Sequence, residues 1–217
     1  MNIFIALIFL LAAARTGYGA SLNLNQLLPE VHNDRFYYFA FGSNMLAQRI
    51  HIQNPTAEIV GPVTLENYRL DFATLPFDRW DGAVATIVPM NGAILWGTLW
   101  EIDMINLADI DNQEGVHLQL YRPITVHVKL HGNDTDTEIT ARAYVLVHQP
   151  ENNVHAFAPN MVPDDRQPSK TYLQVLVKGA IESGIPESYV KFLRSIKHNG
   201  KTVKKLEQAL QVQSVDL

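Results

Sequence analysis

The chain has 217 residues, of which 47% are apolar and 18% charged, with 17 basic against 22 acidic side chains and a formal charge of −5 at pH 7. That acidic surplus, with no aromatic-basic interleaving and no zinc-finger spacing, argues against nucleic acid as a partner. The absence of cysteine excludes disulfides, thiolate nucleophiles and thiolate metal sites together.

Residues 1–19 are apolar but interrupted at Arg15, too short for the ~20 continuous apolar residues of a membrane span. They read as a secretory signal peptide, with Gly17 and Gly19 as the small residues before a cut at Ala20. The expectation is a secreted, extracellular protein with no membrane association after cleavage. Residues 20–35 form an irregular lead-in with Pro29, residues 36–200 one domain with a sizeable core, and residues 201–217 a helical or frayed tail.

The domain opens on Tyr37-Tyr38-Phe39-Ala40-Phe41, a buried strand that runs into Gly42-Ser43-Asn44. Gly42 permits a sharp turn, and Asn44 is placed to cap a helix running from Met45 to Gln53. Unpaired amides at such a join make a nest for a carboxylate or an oxyanion. Val63, Leu65, Tyr68, Leu70 and Phe72 alternate as a strand. The loop 74–82 carries Phe77 and Trp80, which are costly to expose, so it folds back on the core or rims a pocket. Strands follow at Ala83–Val88 and Ala93–Glu101, joined by Asn91-Gly92, a hairpin signal.

Asp103 caps a short helix through Ile105, Leu107 and Ile110 that ends at Gln113-Glu114-Gly115. Strands at 121–130 and 139–147 flank the polar run Gly132–Glu138, an exposed hairpin loop holding Asn133-Asp134-Thr135 as the glycosylation acceptor. A loop at 148–169 precedes two helices separated by Gly184-Ile185-Pro186. The fold class is therefore α+β: a curved mixed or antiparallel sheet of about six strands closed as a small barrel, with flanking helices.

Glu114 is the acid that stands out, because a carboxylate aimed into a cleft from between a helix and Gly115 is raised in basicity by burial and suits a general base. Asp111 and Glu101 are the next acids in line. The eight histidines are scattered, and His127 and His131 fall about 13 Å apart along a strand, so no metal is expected. Ser43 lacks a nucleophile elbow and reads as a hydrogen-bond donor.

In order and spacing, the stretch Tyr38–Asn44, Gly82–Ile87 with Trp96–Trp100, Gln113–Val116, and Tyr172 with Gly179-Ala180 and Gly184–Pro186 resembles the gamma-glutamylcyclotransferase family. The resemblance implies release of 5-oxoproline from gamma-glutamyl compounds without a cofactor, and a homodimer. It implies Glu114 as catalytic acid/base and Tyr38, Phe39, Ala40, Phe41, Gly42, Ser43, Asn44 and Tyr172 as substrate-binding. Tyr121 and Tyr144 match family tyrosines that support the acid. Phe41 departs from the family, which has tyrosine before Gly-Ser-Asn. The alternatives are a secreted binding protein that retains the pocket without turnover, and a cyclotransferase preferring gamma-glutamyl amines or glutathione.

Overall fold

A computed structural model describes residues 28–76, 79–131 and 137–217. The expected signal peptide, Phe77 and the Asn133 acceptor lie outside the described residues.

Strand β1 (Arg35–Ala40) leads through a 3-10 turn at Ser43–Met45 to the one-turn helix α1 (Ala47–Ile50). Strands β2 (Glu58–Ala73) and β3 (Val84–Asp103) form a long antiparallel hairpin, followed by helix α2 (Leu107–Gln113). Strands β4 (Tyr121–Leu130) and β5 (Thr137–Leu146) form a second hairpin. Helices α3 (Lys170–Glu182), α4 (Glu187–Arg194) and α5 (Lys204–Leu210) complete the chain.

The strands close in the order β1-β3-β2-β4-β5. Closure comes from a parallel contact that aligns Tyr38 of β1 with Arg142 of β5, while the other pairings are antiparallel. The described residues form five strands rather than six, because the two strands expected around Asn91-Gly92 are one. Both halves of β3 pair with β2, and the register shifts between Glu66 and Tyr68, where Asn67 takes φ 62°. The Asn67 side chain accepts from the Gly92 N–H at 3.0 Å. Asn-Gly here therefore serves a bulge in a continuous strand, not a hairpin turn.

Alternation puts Val126 and Val128 of β4 inside with Val63, Leu70, Phe72, Ile87 and Leu99. Helix α3 buries nine of its 13 residues, too many for a surface helix, because β-barrel, α4 and the C-terminal segment enclose it. Ser169 caps it, accepting from the Tyr172 N–H at 3.1 Å. That cap sets the depth at which Tyr172 enters the barrel mouth.

Candidate active site

At the barrel mouth the turn after β1 meets the end of α2. The expected helix from Met45 to Gln53 shrinks to the single turn of α1, whose N-cap is Leu46. Asn44 caps nothing, because stronger partners hold it: its Nδ2 donates to the Tyr38 hydroxyl at 3.0 Å and to Glu114 Oε1 at 2.9 Å. Its backbone carbonyl accepts from Trp100 Nε1 at 3.0 Å. Asp103 likewise caps nothing and pairs with Arg35 at 2.8 Å.

Glu114 closes α2, and Gly115 follows at φ 64°. A side chain at Gly115 would be strained there and would meet Leu120 at 2.8 Å, so glycine lets the chain turn away beneath the carboxylate. Gln113 reaches across to donate to Asn44 Oδ1 at 2.8 Å and to Glu114 Oε1 at 3.4 Å. Arg49, buried under this pair, donates to Gln113 Oε1 at 3.3 Å. Both protein hydrogen bonds to Glu114 thus fall on Oε1, and among the described residues Oε2 receives none. One oxygen is anchored and the other faces the pocket.

The opposite wall is built on the backbone of Ala85 in β3. Its N–H donates to the Tyr172 hydroxyl at 3.0 Å, and its carbonyl accepts from the Tyr121 hydroxyl at 2.9 Å. Gly42 lies so near that a Cβ there would sit 3.0 Å from the Tyr172 oxygen. Tyr144 donates to Asp111 at 2.5 Å and accepts from Arg142 Nε at 2.7 Å, with Arg142 also paired to Asp111 at 2.7 Å. Its ring meets that of Tyr38 edge-on at 5.8 Å. Trp80 both folds back and lines the pocket, its ring set edge-on to that of Tyr172 with centroids 4.8 Å apart.

Burial pushes the Glu114 carboxyl above the usual carboxylate range, and Arg49, Gln113 and Asn44 offset only part of that shift. Burial likewise holds Tyr38, Tyr121, Tyr144 and Tyr172 above the ordinary tyrosine range, so all four are neutral at pH 7. Among the described residues Glu114 is the only carboxylate lining the pocket. The arrangement suits moving one proton between a bound ligand and Glu114.

Tyr38, Phe41, Gly42, Ser43, Asn44, Glu114, Tyr121, Tyr144 and Tyr172 thus come together around one cavity. Phe39 and Ala40, expected beside the ligand, are corrected: both are buried core residues outside its lining, Phe39 because strand alternation turns it away from the face that carries Tyr38 and packs its ring beside Gly97. Asp111 is committed to Arg142 and Tyr144, and Glu101 to His32 and Arg35, so neither acid lines the cavity. Arg49, Gln113, Arg79 and the Ala85 backbone line the cavity without having been singled out in the sequence. Among the described residues no cluster of His, Asp and Glu is placed to hold a metal ion.

This geometry has relatives. The chain is 35% identical over 183 residues to gamma-glutamylcyclotransferase of Bos taurus, covering 82% of this chain and 88% of the bovine protein. The chain belongs to the gamma-glutamylcyclotransferase family. It is 33% identical over 178 residues to gamma-glutamylcyclotransferase of Homo sapiens, covering 81% of this chain and 86% of the human one. A solved structure described as a gamma-glutamyl cyclotransferase superposes with a TM-score of 0.68 at 31% identity, covering 82% of this chain and 98% of that one. A profile described as AIG2-like family matches residues 94–193. Family membership makes the chain an enzyme of gamma-glutamylcyclotransferase type, acting on a small gamma-glutamyl substrate. It also corrects the expectation of a secreted protein: the mammalian gamma-glutamylcyclotransferases it resembles are cytoplasmic enzymes.

Proposed function

We propose that the domain spanning residues 36–200 cyclises the gamma-glutamyl group of an amino-acid conjugate, giving 5-oxoproline and the free amino acid, with Glu114 as the acid/base. The observation that carries this is Glu114 itself: anchored through Oε1, open at Oε2 and raised in basicity by burial. The substrate brings its own nucleophile, its alpha-amine. Glu114 takes a proton from the alpha-ammonium, and the freed amine attacks the gamma-carbonyl carbon to close a five-membered ring. The Ser43 hydroxyl donates to the oxyanion, as does Tyr38, whose oxygen accepts from Asn44 and so keeps its own proton to give. Glu114 then returns its proton to the departing nitrogen as the original amide C–N bond breaks, and carries the second proton from the ring nitrogen to the released amine, which leaves as an ammonium. Atoms balance without water.

The test is 5-oxoproline formation by the purified chain from gamma-glutamyl-L-alanine, with the gamma-glutamyl-lysine isopeptide and glutathione in parallel. Product from gamma-glutamyl-L-alanine is expected. No product from any of the three would return the chain to a binding role.

Two further results are expected. Because the base must be ionised, kcat/KM rises with pH through the Glu114 titration, and a raised pKa places that limb above the pH of an ordinary carboxylate. The same shift means the folded state holds this proton more tightly, so ionising Glu114 costs stability as pH rises from the ordinary value to the raised one. A pH profile flat down to the ordinary carboxylate range would contradict the assignment. At Phe41, which is buried, lines the cavity and packs 5.8 Å from Phe39, Phe41→Tyr restores the family hydroxyl. The expected gain in kcat/KM is several-fold, since a satisfied hydrogen bond contributes about 0.5–1.5 kcal/mol. A level or lower value would make Phe41 a packing residue only.

A further inference from the structure

Two guanidiniums line the cavity, and they are not equivalent. Arg49 is buried and tied to Gln113. Arg79 is exposed at the mouth, where its charge favours the ionised form of Glu114, and among the described residues it makes no hydrogen bond or close ion pair, whereas Arg35, Arg69, Arg142, Arg166 and Arg194 all sit in ion pairs.

The residues around Arg79 are held to the core. Its neighbour Trp80 is buried against Tyr172, the Thr74 N–H donates to the Asp165 carbonyl at 3.1 Å, and the Ala83 N–H to the Gln167 carbonyl at 2.9 Å. Asn199 Nδ2 donates to the Asp81 carbonyl at 2.8 Å. The described chain beside Arg79 is thus fixed to the core, and its guanidinium stands at the opening with no close partner of its own.

Deepening the proposed cyclisation and resting on it, we infer that Arg79 reads the charge of the departing group, selecting gamma-glutamyl conjugates whose leaving amine carries a carboxylate. With the glutamyl head at Glu114 on the floor, the leaving part points toward the mouth, where Arg79 stands. Charge balance agrees. With Glu114 ionised the two guanidiniums leave the cavity one positive charge in excess, matching the single net negative charge of a gamma-glutamyl amino acid. Proton transfer from the ammonium to Glu114 doubles both charges. A conjugate with a neutral leaving amine gains less at each stage.

The experiment compares kcat/KM for gamma-glutamyl-L-alanine and gamma-glutamyl-L-alaninamide in the full chain and in Arg79→Gln and Arg79→Glu. The unsubstituted chain is expected to favour the acid by about tenfold, the scale of one hydrogen bond to a charged group. That preference shrinks in high salt. The ratio is expected to fall to about one in Arg79→Gln and to invert in Arg79→Glu, by the same charge reasoning. Product with the same ratio in all three proteins would overturn the inference alone. No 5-oxoproline from either substrate in the unsubstituted chain would overturn the cyclisation reading and this inference with it.

Discussion

Glu114→Gln is expected to leave the fold intact and to slow 5-oxoproline formation by about 100-fold or more, the span of general acid–base catalysis. Glutamine keeps the volume of the side chain, and its carbonyl oxygen still accepts from Asn44 and Gln113. What it loses is the ability to take a proton from the ammonium and to return it to the leaving nitrogen. Replacement also removes a buried negative charge beside Arg49, so thermal stability is the control that separates lost chemistry from lost packing. Rates measured at substrate saturation and by kcat/KM should fall together, because the proton is moved in the transition state rather than on binding. A variant turning over at the original rate would remove Glu114 from the mechanism. No other carboxylate among the described residues lines the cavity to replace it.

The largest effect on stability is expected at Asp71, far from the chemistry. Its carboxylate is fully buried between Arg69, at 3.0 Å, and Arg166. It also accepts from the backbone N–H of Phe72 at 2.7 Å and of Val154 at 3.4 Å. Arg166 in turn donates to the Phe72 and Asn152 carbonyls, and the His155 ring meets the Leu70 carbonyl at 2.7 Å. This one acid therefore clasps the 148–169 loop onto β2, and that loop leads into the Ser169 cap that positions Tyr172. Asp71→Ala leaves two largely buried guanidiniums uncompensated, which costs about 3–5 kcal/mol. For a chain of this size, that is a fall in Tm of about 10 °C. A Tm within 2 °C of the starting protein, at about 1 kcal/mol or less, would show that the loop is held by other means.

Where local chemistry decided the outcome, the sequence was legible. The aromatic strand and its turn, Glu114 before a left-handed glycine, the 121–130 strand and the helix break at Gly184–Pro186 are all local patterns, and the structure contains each. Asn91-Gly92 was misread because its partner in the bulge, Asn67, lies 25 residues away and no local pattern announces it. Barrel closure through β1 and β5 is equally non-local. Arg49 looks like a solvated residue on a helix until that helix stops after one turn and is covered by Gln113. Its signal was a lone cation between apolar Leu46 and Ile50. The tyrosine clamp at Ala85 could not be read at all, since it is made by backbone atoms of a residue whose side chain says nothing.

Cyclisation within the substrate differs from hydrolysis in where the new bond to the gamma-carbon comes from. Incubating the purified chain with gamma-glutamyl-L-alanine in 18O-labelled water and analysing the products by mass spectrometry separates the two. Attack by the substrate amine gives unlabelled 5-oxoproline in equal amount to free alanine, and no glutamate. Glutamate carrying 18O in its gamma-carboxylate would mean that water, not the amine, is the nucleophile, and would contradict the mechanism built on Glu114.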